Sequence, residues 1–251
     1  MHSSKWFLAG VLLLWAQIAS AAVTFAEFDT GKSNVDQTSY TTATLTPTAS
    51  TLYLLAVANT HATDATLPTA SGQGQTWVQV GTRLSSNTDS RTTVFCAIGG
   101  STNGAVTIDF GGTTQTGAAW KITAITGMTS NCTIGSGGIV QVIEAGGGSA
   151  TTSTATLAAL GSATNGEIAF CASQVNSTFT AEWTEQGAEE AQGTAALTLG
   201  AHYQAATDTT SLCTFGSAGQ ITHVALEIDE AAGASTSLPG ILGGNFGRGV
   251  L

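Results

Sequence analysis

From Ala22 onward, apolar and polar positions alternate in short runs, and no stretch shows helical periodicity. Runs rich in Val, Ile, Thr, Leu and aromatic residues are separated by clusters of Gly, Asn, Asp and Ser, the pattern of an all-β sandwich or barrel. The first series predicts strands at 41–45, 52–58, 76–81, 92–98, 105–110 and 118–125. A connector follows Gly127, with Gly135-Ser136-Gly137-Gly138 ahead of an apolar run at 139–143 and Gly146-Gly147-Gly148 after it. The second series predicts strands at 154–160, 167–172, 179–183, 195–204, 210–215 and 221–228. Leu52-Tyr53-Leu54-Leu55-Ala56-Val57 is nearly continuous in apolar character, which suits a central strand covered on both faces.

The two series correspond. Trp77-Val78-Gln79-Val80-Gly81 and Trp183-Thr184-Glu185-Gln186-Gly187 share a W-x-x-x-G spacing. Ile108 to Ile122 spans the same interval as Leu212 to Leu226, and Leu45 to Leu55 nearly that of Leu157 to Ile168. Trp77 to Phe95 likewise nearly matches Trp183 to Tyr203, while the segment before each tryptophan differs in length. Equal strand spacing with one variable loop is what an internal duplication leaves. The expected fold is therefore an antiparallel two-sheet sandwich of jelly-roll or lectin-like type, built from two similar halves at about 38–128 and 149–229. Two tandem immunoglobulin-sized sandwiches are the alternative. The run at 139–143 is too apolar to leave in water, which favours one domain over 22–230. Few charges mark the expected strand edges, so nothing in the composition blocks edge-to-edge pairing.

Composition narrows the setting. Charged residues are 9% of the chain, against roughly 25% in an ordinary soluble domain. Residues 1–21 combine Lys5, an apolar run at 6–15 and Ala19-Ser20-Ala21, the layout of a secretory signal peptide cleaved before Ala22. The run is shorter than the ~20 residues a bilayer span needs, and no later stretch is long and apolar enough to span. The expectation is a secreted, cell-surface or virion-borne protein. After cleavage only Lys32, Arg83, Arg91, Lys121 and Arg248 are basic, too few to neutralise a phosphate backbone, so nucleic acid is not an expected partner. The segment 231–251 reads as a flexible linker followed by an apolar, Gly-rich tail suited to docking on a neighbouring copy or a surface partner.

Candidate chemistry is sparse. Cys96, Cys132, Cys171 and Cys213 permit two disulfides in any of three connectivities, with buried free thiols as the alternative. No C-x-x-C, H-x-H, H-E-x-x-H or G-x-S-x-G pattern occurs, so neither a metal site nor an acyl-transfer nucleophile is expected. His202 and His223 lie on adjacent predicted strands, where packing is the expected role. Glu227-Ile228-Asp229-Glu230-Ala231 resembles the E-x-D-x-E strand of jelly-roll glucanases, but Ala231 replaces the third acid. Glu182, Glu185, Glu189 and Glu190 surround the second tryptophan; such density suits Ca2+, yet the spacing matches no calcium loop, and a solvated acidic turn is expected. Trp77, Trp183 and Tyr203 are assigned to core packing rather than to sugar stacking.

Residues 52–58, Trp77-Val78-Gln79-Val80-Gly81, 92–97, 105–110 and 119–128 together resemble a β-sandwich module of phage virion proteins and bacterial surface proteins. The likeness covers most of 41–229 and carries no catalytic residues. It implies a non-enzymatic structural, adhesive or attachment role, with the chain itself or a surface glycan or protein as partner. A carbohydrate-binding lectin-like module is the alternative, and a glycoside hydrolase a more distant one.

Overall fold

The computed structural model describes residues 22–191, 196–205 and 208–231, and every regular element among them is a β-strand. The leader expected at 1–21 and the tail from 232 onward lie outside the described residues. The strands of the first half are β1 (Thr24–Ser33), β2 (Ser39–Thr41), β3 (Leu52–Thr60), β4 (Thr69–Gly72), β5 (Val78–Leu84), β6 (Ser90–Ile98), β7 (Val106–Asp109) and β8 (Gly117–Thr126). Those of the second are β9 (Ile139–Thr156), β10 (Gly166–Ser173), β11 (Phe179–Ala181), β12 (Thr184–Ala191), β13 (Leu197–Ala205) and β14 (Thr210–Ile228). All pairings between these strands are antiparallel, and the fold is an all-β sandwich.

Each half contributes one main sheet. The first runs β1-β8-β3-β6-β5; the second runs β9-β14-β10-β13-β12. Position by position, the chain segments recur in the same order. A smaller layer covers each sheet from outside. Over the first it is the separate sheet β2-β7-β4. Over the second it is made by the same strands, because β9 and β14 pair with each other from the sheet into the cover, where β11 joins β14 at 213–215. The ribbon turns its corner where pairing is interrupted between Thr214 and Gly219. Gly146 and Gly147 stand at the next interruption, between Gln220 and Thr222, with φ of +75° and +110°, values a side chain resists.

The inner faces of the two sheets make one core. Leu54, Ala56, Val94 and Ile125 from the first sheet meet Ile168, Phe170, Leu199, Val224 and Leu226 from the second. Each such side chain contributes about 1.5–3 kcal/mol on full burial. The first half also closes a core of its own between its main sheet and its cover, from Leu55, Val57, Phe95, Ile108, Trp120 and Ile122, so each half keeps a sandwich-like organisation while the two main sheets share a further core. β1 lies against β12, and β5 against β9. Since β9 occupies in the second sheet the place of β1 in the first, and β12 that of β5, the two contacts are reciprocal, as in an isologous dimer. Thr82 N donates to Glu144 Oε1 (2.7 Å) at one border, and Thr123 Oγ1 to Gln186 Oε1 (2.8 Å) near the other. Cys96 is bonded to Cys132 and Cys171 to Cys213, so each disulfide stays within its half or the adjoining connector.

Several expectations are corrected. β1, β4 and β12 were not predicted, and 42–45 is not strand apart from a bridge between Leu45 and Gly104. The acidic turn after Trp183 is the edge strand β12, and Gly146-Gly147-Gly148 lies within β9. The residue matching between halves also changes. Leu55 pairs with Phe95 and Ile122 just as Ile168 pairs with Tyr203 and Leu226. Yet Leu55, Phe95 and Ile122 face the outer cover, while Ile168 and Leu226 are in the shared core with Tyr203 packed against it. Intervals between strands are unchanged by a one-residue offset, whereas the faces invert. Finally, the edges do carry a block, of geometry rather than charge: β1, β5 and β12 each contain a register shift.

Both W-x-x-x-G motifs place the tryptophan just ahead of an edge strand and the glycine at its bulge. The glycines differ in what they avoid. A Cβ on Gly81 would sit 2.7 Å from Val224 Cγ1 of the facing sheet; Gly187 has open space but φ of +80°. Gly81→Ala is expected to cost about 1–3 kcal/mol, and Gly81→Asn more. Gly187→Ala should cost about 1 kcal/mol and Gly187→Asn less, since Asn tolerates the left-handed region. Urea unfolding of the four variants checks this, and equal costs for Asn at both sites would contradict it.

Candidate functional site

Between the second sheet and its cover two histidines lie against the Cys171–Cys213 disulfide. Cys171 on β10, His202 on β13 and His223 on β14 point outward from the sheet, and Cys213 comes down from the cover part of β14. One ligating atom from each lies within 4.8 Å of the others, and all four residues are buried. One strand thus supplies two of them, because β14 runs through both layers. The sequence reading expected no metal role here, since no ligand spacing stood out; the fold brings the residues together from three strands, one of which turns back over its own sheet.

Hydrogen bonds orient the two imidazoles. Ser211 Oγ lies 2.9 Å from His202 Nε2 and 3.0 Å from His223 Nε2. His223 Nδ1 lies 3.3 Å from Ser153 Oγ, and His202 Nδ1 has no hydrogen-bond partner. A hydroxyl has one proton, so Ser211 donates to one Nε2 and accepts from the other. The arrangement that buries no unpaired N–H has His202 protonated at Nε2 and His223 at Nδ1, the latter donating to Ser153. Trp183 lies along His202 at 4.9 Å between ring centroids, and Phe179 meets it edge-on at 6.0 Å. Burial pushes His202 down to about 3, with His223 adding to the effect. Burial likewise lowers His223 to about 4, opposed by a hydrogen bond that the ring donates to the Ser153 backbone. Both rings are therefore neutral at physiological pH.

On the same face, toward the other end of the strands, Glu167 and Glu227 are register partners and fully buried. Glu227 accepts from Gln141 Nε2 (2.6 Å), Gly161 N (2.7 Å) and Asn165 Nδ2 (2.6 Å). It ties down the 157–165 loop and faces no open cleft. Glu167 accepts from Gln204 Nε2 (2.8 Å), and its other oxygen is unpartnered. Desolvation raises Glu167 to about 7, partly offset by the Gln204 bond and reinforced by the Glu227 charge.

The other candidates lie apart. His61 stands in the turn after β3, where its Nδ1 accepts the backbone N–H of Asp64 (3.0 Å). Asp229 accepts from Thr129 Oγ1 (3.0 Å). Glu185 is exposed and caps the Ala181 N–H (2.8 Å). Trp183 is buried, while Trp77 is half-buried against the outer core of the first half and Tyr203 stacks on Phe25 at 5.0 Å. One signal in the sequence marked the cluster: Cys171, His202 and His223 interrupt otherwise apolar runs, at positions that alternation assigns to a buried face.

These groups set the acid and alkaline limits of stability. Unfolded histidines bind protons near pH 6.5, the folded ones only near 3 and 4, so the unfolded chain holds more protons in between and acid destabilises. Glu167 acts in reverse: its favourable contribution is complete below pH 4.5 and is lost as pH rises through about 7. Two histidines outweigh one carboxyl between 4.5 and 6.5, by at most about 1.4 kcal/mol per pH unit. Urea midpoints should peak near pH 6.5, and Glu167→Gln should abolish the alkaline decline while leaving the acid one. A midpoint flat across the acid range would contradict the assignment. Compared with protein-family models, with curated proteins and with solved structures, the chain has no match, so its function is argued from its own geometry.

Proposed function

We propose that the chain is an exported, non-enzymatic structural or attachment protein, of the kind that builds phage virions or bacterial surfaces. One observation carries the reading: side chains with chemistry to offer serve the interior. Glu227 fastens a loop, His202 and His223 lie under the cover, and Lys121, 1% exposed, reaches Glu27 at 2.6 Å. The described exterior is built on bulged edge strands rich in Thr, Gly and Glu. Such a surface suits rigid contact with copies of itself or with a host surface.

A second reading is a carbohydrate-binding module. It draws on a shallow depression at the seam of the halves, where Thr60, His61, Asp89, Thr116 and Gln174 offer donors and acceptors for sugar hydroxyls. Every described aromatic ring is buried or half-buried, which leaves this reading without an exposed stacking platform.

Light scattering and electron microscopy of the mature chain, with and without residues 231–251, test the first reading. Ordered oligomers or filaments are expected, smaller or absent after truncation. A strict monomer that binds one glycan on an array, and loses it on Asp89→Ala, would transfer the assignment to the second reading. Turnover of a polysaccharide abolished by Glu227→Gln would overturn both.

A further inference from the structure

The space between each main sheet and its cover is filled in two different ways. In the first half Leu55, Val57, Phe95, Ile108, Trp120 and Ile122 fill it with hydrocarbon. In the second half the same layer holds Cys171, His202, Cys213 and His223, with Ser153 and Ser211 beside them. The first half packs that layer mainly with apolar side chains and holds no histidine or cysteine in it, its buried amides Asn59 and Gln115 bonding each other at 2.7 Å. Two histidines and two serines beside the Cys171–Cys213 disulfide are costly in a dry layer unless they satisfy one another or a ligand.

The donor set is two sulfurs and two imidazole nitrogens, the combination that selects zinc in tetrahedral sites. Zn–N and Zn–S bonds of about 2.0–2.3 Å imply edges of about 3.3–3.8 Å between ligand atoms. Cys213 Sγ lies 3.5 Å from His202 Nε2 and 3.6 Å from His223 Nε2, already at such edges. Ser153 contacts the remaining nitrogen of His223, as a hydroxyl that orients a metal-bound imidazole would.

We propose that the dithiol form of this chain binds one zinc ion through Cys171, Cys213, His202 and His223. Two thiols give up their protons to solvent, two neutral imidazoles contribute lone pairs, and the resulting centre carries no net charge, which suits its burial. The disulfide and the zinc centre are alternative closures of one site, each fastening the cover to the sheet. The disulfide form is converted by a phosphine reductant and water, which yield two thiols and the phosphine oxide.

The test uses the full chain, unfolded and reduced with a water-soluble phosphine, then refolded without oxygen in the presence of Zn2+ or Co2+. Native mass spectrometry should show one zinc per chain, and Co2+ should give the visible bands of a tetrahedral thiolate–imidazole centre. A Cys132→Ser chain should retain both signals. His202→Asn or His223→Asn, shown folded by circular dichroism, should weaken binding at least about tenfold, as loss of a ligand-shell group typically does. Folded reduced chain that takes up no metal would overturn the proposal. So would uptake unchanged in the double histidine variant, or reduced wild-type chain that fails to fold with zinc supplied.

Discussion

The structure depends on one apolar contact, the shared core between the two main sheets. Each sheet has a cover on its outer face, but its inner face is apolar along three neighbouring strands and has only the other half to meet. Exclusion of water from that interface makes the two halves a single unit. It also explains why β3 and β10 are buried along their whole length, being central in a sheet and covered on both sides. A polar contact between the sheets adds registry, since Thr92 meets Thr222 across the interface at 2.7 Å, while Lys121 on the inner face of β8 is satisfied within its own sheet by Glu27 of β1. Separating Thr92 from Thr222 would leave buried hydroxyls unsatisfied, which disfavours any other alignment of the sheets.

Much of this was legible because alternation and apolar runs report burial directly. β3, β6, β8, β10 and the inner part of β14 were found close to their observed bounds, and the run at 139–143 docks as expected at the start of β9. What was missed shares a cause. β1, β4 and β12 lie at edges, where one side faces solvent and composition is free to include Glu, Gly and Ser. The glycine triplet read as a loop because glycine marks any sharp bend, including one inside a continuous strand. The offset between the halves was invisible because spacing is a difference, and a difference carries no information about which face a residue takes.

The buried cluster was illegible for another reason. Its members come from positions 171, 202, 213 and 223, with no short spacing to betray them. Proximity arises only after β14 passes through the corner and lays Cys213 over the sheet that holds His223. Ligand motifs readable in sequence depend on turns and helices that keep donors close along the chain; a two-layer ribbon brings together residues that local spacing separates. The comparison that does expose the cluster is between halves, since the first layer is mainly hydrocarbon while the second sets two histidines and a disulfide among Phe179, Phe215 and Ile221.

The position of the disulfides gives the connector a role beyond joining. Neither bond crosses between the main sheets: Cys96–Cys132 and Cys171–Cys213 leave the halves united by contact and by residues 127–138 alone. That segment therefore acts as a tether, holding a partner at an effective concentration in the millimolar range. Severed between 133 and 138, beyond the Cys96–Cys132 bond, the sandwich would become a heterodimer of two related chains, whose cohesion would depend on dilution as that of a folded single chain does not.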